Sequence, residues 1–174
     1  MIMTARKATP SPLTPQGGVR RHGAAIYDEA PHDPYEAKGK YSEPTACSDC
    51  RAVFHRGRWT WADVPEGAHA ALCPACHRVR DKLPAGHLIL EGDFVDTRRD
   101  ELARLARNEE AQEKALHPLH RIMDIEHEKG RVTVTTTDIH LARRIGEAVR
   151  HAYQGDLDLK YAKNEYMLRA HWRH

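Results

Sequence analysis

Two Cys-x-x-Cys pairs, Cys47-Ser48-Asp49-Cys50 and Cys73-Pro74-Ala75-Cys76, are separated by 22 residues and use all four cysteines of the chain. Four soft thiolates in paired knuckles match the closed tetrahedral demand of a structural zinc ion and leave no position open for substrate water. In each knuckle a tight turn lets backbone amides face the sulfurs, and a hairpin between the pairs brings the knuckles together. The expectation is a zinc ribbon, with Cys47, Cys50, Cys73 and Cys76 as ligands and zinc as cofactor. The rival is a redox dithiol, which needs one pair placed after a strand and opening a helix. Pro74 suits that rival; a second pair does not. His77, beside Cys76, is expected to face solvent.

Cysteines that fall into metal-binding pairs with none left over suit a reducing compartment. Residues 1–16 carry Arg6 and Lys7 with no apolar stretch behind them, so no secretory signal is expected. Apolar runs such as Leu88-Ile89-Leu90 fall far short of the roughly 20 residues of a membrane span, and the chain is expected in the cytoplasm with no membrane partner. Lys and Arg number 27 against 25 acidic residues, a net charge of +2 over 174 residues, so any nucleic-acid contact must come from local patches.

Three stretches follow from composition and periodicity. Residues 1–40 hold Pro10, Pro12, Pro15, Pro31, Pro34 and Gly17-Gly18 with little apolar pattern, and are expected to be a disordered tail. Residues 41–86 form the ribbon, with Val53-Phe54 and Trp59-Thr60-Trp61 flanking a hairpin turn at Arg56-Gly57-Arg58. Leu83-Pro84-Ala85-Gly86 then breaks the chain.

Residues 87–174 predict longer elements. Leu88, Leu90 and Phe94 mark a strand, and Asp96 or Thr97 caps a helix running to about Leu116, before Pro118. Ile122–His127 and Arg131–Thr136 flank the turn Glu128-Lys129-Gly130 as a β-hairpin. Asp138 caps a second helix, whose Leu141, Ala142, Ile145, Ala148, Val149 and Ala152 share one face. Leu157, Leu159 and Tyr161 alternate with polar residues as a further strand, and Tyr166–Trp172 is extended too. The order β-α-β-β-α-β predicts a ferredoxin-like domain, so the fold class is α+β: tail, four-cysteine zinc ribbon and ferredoxin-like αβ domain.

Arg51, Arg56 and Arg58 in the hairpin region and Arg78, Arg80 and Lys82 after the second knuckle gather around the ribbon, with Trp59 and Trp61 beside them. Arginine forks bind phosphate and aromatic faces accept unstacked bases, so these eight residues are the candidate RNA contacts. The plainer alternative makes one Trp core and leaves the arginines in water. The sheet of the αβ domain lacks the aromatics of an RNA-recognition motif on its third strand, and Asp124 and Glu126 would repel phosphate. With 15 basic and 16 acidic residues, that domain suits protein docking or shape fitting. Of 13 histidines, His117, His120, His127 and His140 are close in sequence. They are expected to be dispersed hydrogen-bonding or exposed groups rather than a second metal site, since His117-x-x-His120 straddles Pro118. No nucleophile elbow, phosphate-binding glycine loop or metalloprotease helix is present.

Residues 47–172, from the first knuckle through Leu72-Cys73-Pro74-Ala75-Cys76 to the final strand, resemble a family of small bacterial zinc-ribbon proteins. More distantly, the ribbon and the elements after it look like the amino-terminal part of the archaeal and eukaryotic large-subunit ribosome export adaptor. That adaptor has further knuckles and downstream domains that this sequence lacks. The resemblance implies binding to the ribosome or ribosomal RNA, with Cys47, Cys50, Cys73 and Cys76 as the matching ligands. The expectation is a non-enzymatic ribosome-binding protein with no small-molecule substrate, acting in assembly, stress or hibernation. The alternatives are a zinc-ribbon adaptor for another protein and a redox or metal-dependent enzyme.

Overall fold

The structure is a computed structural model that describes residues 18–22, 32–36 and 41–174. It is mixed α and β, with three helices and two sheets among those residues. The smaller sheet comprises β2 (Thr45–Cys47), β3 (Val53–His55), β4 (Arg58–Thr60) and β5 (His69–Ala71), in the order β4-β3-β2-β5. The β3/β4 turn sits at Arg56 and Gly57, with φ of 51° and 76°. Two left-handed central residues make a turn whose twist matches the strands, and glycine meets that demand at no steric cost. Helix α1 (Pro74–Asp81) follows β5, with Cys73 as its N-cap and Pro74 at its first position. The sequence reading did not anticipate this helix.

The larger sheet holds β1 (Val19–His22), β6 (Gly86–Glu91), β7 (Ile122–Glu128), β8 (Arg131–Thr136), β9 (Asp156–Tyr161) and β10 (Leu168–Arg173). Helices α2 (Val95–Leu116) and α3 (Ile139–Tyr153) pack against each other and on this sheet. Strand periodicity decides what reaches the core: Leu88 and Leu90 of β6, Val132 and Val134 of β8, and Leu157 and Leu159 of β9 are fully buried. From α3 come Leu141, Ala142, Ile145 and Val149. Asp138 caps that helix as expected, its side chain accepting from the amides of His140 and Leu141.

The strand order is β1-β9-β10-β6-β8-β7, and it corrects the ferredoxin-like plan. In that plan β9 would lie beside β6. Instead β10 does, parallel to β6 from Leu168 beside Gly86 to Arg173 beside Glu91, while β9 pairs antiparallel with β10. The two last strands are one hairpin, closed where the Ala162 amide donates to the Met167 carbonyl at 3.0 Å. The hairpin's second arm takes the central place because it brings Leu168, Ala170 and Trp172, all buried, to the core. Trp172 is the largest fully buried side chain, and its indole N–H donates to the Gln154 carbonyl at 2.6 Å.

The disordered-tail expectation also needs correction at two places. Strand β1 adds in parallel to the outer edge of β9, with Val19 beside Leu157, and covers backbone groups that an edge strand would expose. Residues 32–36 lie against α1, where the Tyr35 hydroxyl donates to Asp81 at 2.8 Å. The rest of the tail expectation falls outside the described residues.

The N-cap of helix α2 is Phe94, two residues before the first expected cap, Asp96. Val95 is fully buried and Phe94 takes the cap position without a side-chain bond, while Asp96 accepts from the Gly130 amide at 2.7 Å. Its buried face is narrow: Leu102 and Ala106 are fully buried in the core, but Leu116 is 76% exposed at an end that reaches the ribbon. There the Trp61 indole donates to the Lys114 carbonyl at 2.5 Å.

Gly86 packs tightly against β8 and α3. A Cβ there would collide with the side chains of Thr136 and Ala142 and stand 3.2 Å from the Asp138 carbonyl oxygen. Gly86→Ala is therefore expected to cost about 1–3 kcal/mol through overpacking, read as a lowered urea midpoint with an unchanged slope.

Candidate metal centre

The cysteine cluster is assembled by strand pairing on both edges of β2. Parallel pairing with β5 sets Cys47 beside Ala71, two residues before Cys73, and antiparallel pairing with β3 folds the first knuckle back. Arg51, at φ 67°, turns that knuckle so that its amide donates to the Cys47 carbonyl at 3.0 Å. In the second knuckle the Cys76 amide donates to the Cys73 sulfur at 3.4 Å, and the Cys73 amide to the Cys47 sulfur at 3.3 Å. Tyr41, Phe54 and Trp59 pack ring against ring beside the cluster, with centroids 5.0–5.5 Å apart.

All four Sγ atoms lie within 4.8 Å of one another, and Cys50 Sγ stands 3.7 Å from Cys73 Sγ. Tetrahedral thiolates about 2.3 Å from an ion are about 3.8 Å apart, so the cysteines fit one metal ion in a closed four-sulfur site. Burial raises the Cys73 thiol above its ordinary value, and the neighbouring sulfurs push it further. Burial pushes Cys47 up as well, but amide donors from Cys50, Cys73 and Asp49 outweigh it and bring that thiol to about 6. A bound cation would remove the mutual repulsion that opposes ionising all four.

Arg121, just before β7, supplies a second source of positive charge. Its guanidinium donates to Cys50 Sγ at 3.0 Å, Cys76 Sγ at 3.3 Å and Cys73 Sγ at 3.7 Å, while Nε–H donates to the Pro118 carbonyl at 2.7 Å. Four thiolates around a divalent ion would carry a net charge of about −2, and the partly buried Arg121 offsets part of it. Sequence reasoning missed Arg121, which lies 45 residues beyond Cys76 with no spacing signal to connect them.

The eight candidate RNA contacts divide. Arg51, Arg56 and Arg58 are exposed, and no carboxylate meets their guanidinium groups among the described residues. Arg56 and Arg58 sit at the hairpin tip, whereas Arg51 is five residues back at the knuckle end, up to about 17 Å away along an extended strand. Trp59 is buried in the aromatic trio, and Trp61 is 41% exposed. Arg78 is withdrawn from the expected surface patch: it is 4% exposed, ion-paired with Asp33 at 2.5 Å and stacked 4.6 Å from the Tyr35 ring centroid. Burial on the inner side of α1 is what removes it. Arg80 makes two bonds to Asp49, at 2.9 and 2.6 Å, and Lys82 is exposed at the C-cap of α1. His77 is exposed, as expected, and outside the sulfur cluster.

Replacing Arg121 by Met keeps the side-chain bulk and removes the donors. Metal affinity is expected to fall about 10- to 100-fold, as for other groups that support a metal's ligands, measured by competition with a chelator. Cys73→Ser is expected to abolish stoichiometric binding at this centre.

No protein-family model, curated protein or solved structure matches this chain, and no helix among the described residues is long and apolar enough to cross a membrane.

Proposed function

We propose that the chain is a non-enzymatic zinc-ribbon protein that binds ribosomal RNA through the tip of its ribbon hairpin, acting as a ribosome assembly, stress or hibernation factor. Zinc is the ion, because a closed set of four thiolates suits its tetrahedral, redox-silent chemistry. The observation that carries the reading is a pair of exposed arginines at the hairpin tip, Arg56 and Arg58, whose guanidinium groups meet no carboxylate among the described residues. Arg78, Arg80, Arg131 and Arg144 give their guanidinium groups to Asp33, Asp49, Glu91 and Glu109. Arg56 and Arg58 at the tip have no such partner among the described residues. A guanidinium fork without an internal carboxylate is available for phosphate.

The large sheet is a poorer platform. Asp124 and Glu126 of β7 pair with Thr135 and Thr133, the residues of β8 that alternate with its buried valines, and so lie on the face away from the helices. Both acidic residues are exposed there. The more distant resemblance of the ribbon and the elements after it to the amino-terminal part of the ribosome export adaptor supports ribosomal RNA as the partner class, and paired cysteines with none left over suit the reducing cytoplasm.

Freshly purified protein is expected to hold one zinc at the thiolate centre, measured after treatment with a mild chelator that spares it. Binding to ribosomal RNA should weaken with salt, and Arg56→Ala and Arg58→Ala should each reduce the log–log slope by about 0.7–0.9. Asp124→Ala serves as the control and should leave the slope unchanged. A double arginine variant that binds ribosomes as well as wild type, at matched salt and zinc content, would favour the protein-adaptor alternative.

A further inference from the structure

The segment that delivers Arg121 to the sulfurs delivers its chain neighbour, His120, to the N-terminal end of α3. There His120 Nε2 is 3.5 Å from Asp138 Oδ1, and His140 Nδ1 is 3.2 Å from the same oxygen and 3.4 Å from Oδ2. One ligand atom from each of the three residues lies within 4.8 Å of the others. Ligands about 2.0–2.1 Å from a tetrahedral ion are about 3.3–3.4 Å apart, close to the two carboxylate–imidazole spacings.

What distinguishes this group from histidines merely paired with a carboxylate is how its remaining atoms are held. His120 Nδ1 is 3.0 Å from Glu113 Oε2, so a proton on Nδ1 directed at Glu113 leaves the Nε2 lone pair facing Asp138. Glu113 is fixed in turn by Arg144, which donates to its Oε1 at 2.6 Å. The Tyr166 hydroxyl donates to Asp138 Oδ2 at 2.6 Å, and the amides of His140 and Leu141 donate to Oδ1 at 2.7 and 3.3 Å. The two carboxylates, Asp138 and Glu113, oppose the positive end of α3.

We propose that His120 Nε2, Asp138 and His140 Nδ1 form a second metal site, for a divalent transition ion of the zinc class, with Glu113 and Tyr166 as its positioning residues. Imidazole and carboxylate together suit zinc, nickel, cobalt and iron(II) better than calcium or magnesium. Three protein ligands leave at least one position for water. The His140 side chain, 58% exposed, places that position toward solvent. The site differs from the four-sulfur centre in both hardness and openness.

The test is zinc titration of full-length, tag-free chain whose thiolate centre is already loaded, followed by calorimetry. A second equivalent is expected for wild type. His140→Ala, at an exposed position, should weaken that second binding at least tenfold while the thiol-bound equivalent persists. Glu113→Gln should weaken it about 10- to 100-fold with an unchanged far-UV spectrum. Wild type that saturates at one equivalent, or a second equivalent equally tight in His140→Ala, would overturn the assignment. Failure of the thiolate centre to hold zinc would appear in the first equivalent alone and leave the comparison between wild type and His140→Ala intact.

Discussion

Four sulfur atoms within 4.8 Å of one another repel one another when ionised, and the ribbon is built around that repulsion. The ribbon's own core is small: Ala52, Phe54, Trp59 and Ala75 beside the cysteines, with Tyr41 and Leu72 at the margin. So little apolar burial does not offset the entropy of ordering some forty residues, and an ion shared by both knuckles would add the missing stabilisation. The αβ domain also contributes, since Leu119 packs on this cluster and Arg121 donates to three of its sulfurs. Arg121 therefore ties the electrostatics of the ribbon to a segment that leads directly into β7.

The large sheet has a different organising constraint, the seat of Trp172. Placing that indole at the centre makes β10 rather than β9 the neighbour of β6 and leaves β9 as an edge for β1 to cover. The N–H of Trp172 meets the Gln154 carbonyl and its ring is fully buried, which holds β10 at the centre, while the sixth strand, β1, is contributed by Val19–His22.

Features with a short-range signature were legible in the sequence. The cysteine spacing specified the cluster, the Asp138 cap and the 3.6-residue period specified α3, and alternation specified β7, β8 and β9. Features set by distant partners were not. Strand β1 has no pattern of its own and exists because β9 offers an edge; α1 is short and buries an arginine, Arg78, through Asp33 and two tyrosine rings, against the usual placement of that residue. Arg121 and the His120–Asp138–His140 group depend on one turn after Pro118 meeting elements far apart in the chain. Trp59 was ambiguous by sequence, because a hairpin tryptophan alternates between core and surface with a register shift of one residue.

His120 and Arg121 are adjacent, yet one faces carboxylates and an imidazole ring and the other faces sulfur. Neither can move far without displacing the other, since the Arg121 amide is tied to the Thr137 hydroxyl at 2.9 Å and Thr137 stands next to Asp138. Tyr166 extends the same connection: it holds Asp138, and its ring lies 5.6 Å from the Arg78 guanidinium on the helix that Cys73 caps. Two charged clusters of different chemistry are therefore joined through side chains on both sides, by Arg121 at the sulfurs and by Arg78 on α1. The ribbon and the αβ domain consequently share hydrogen-bonded partners rather than a linker alone, and an ion held at either cluster would restrain backbone that leads to the other.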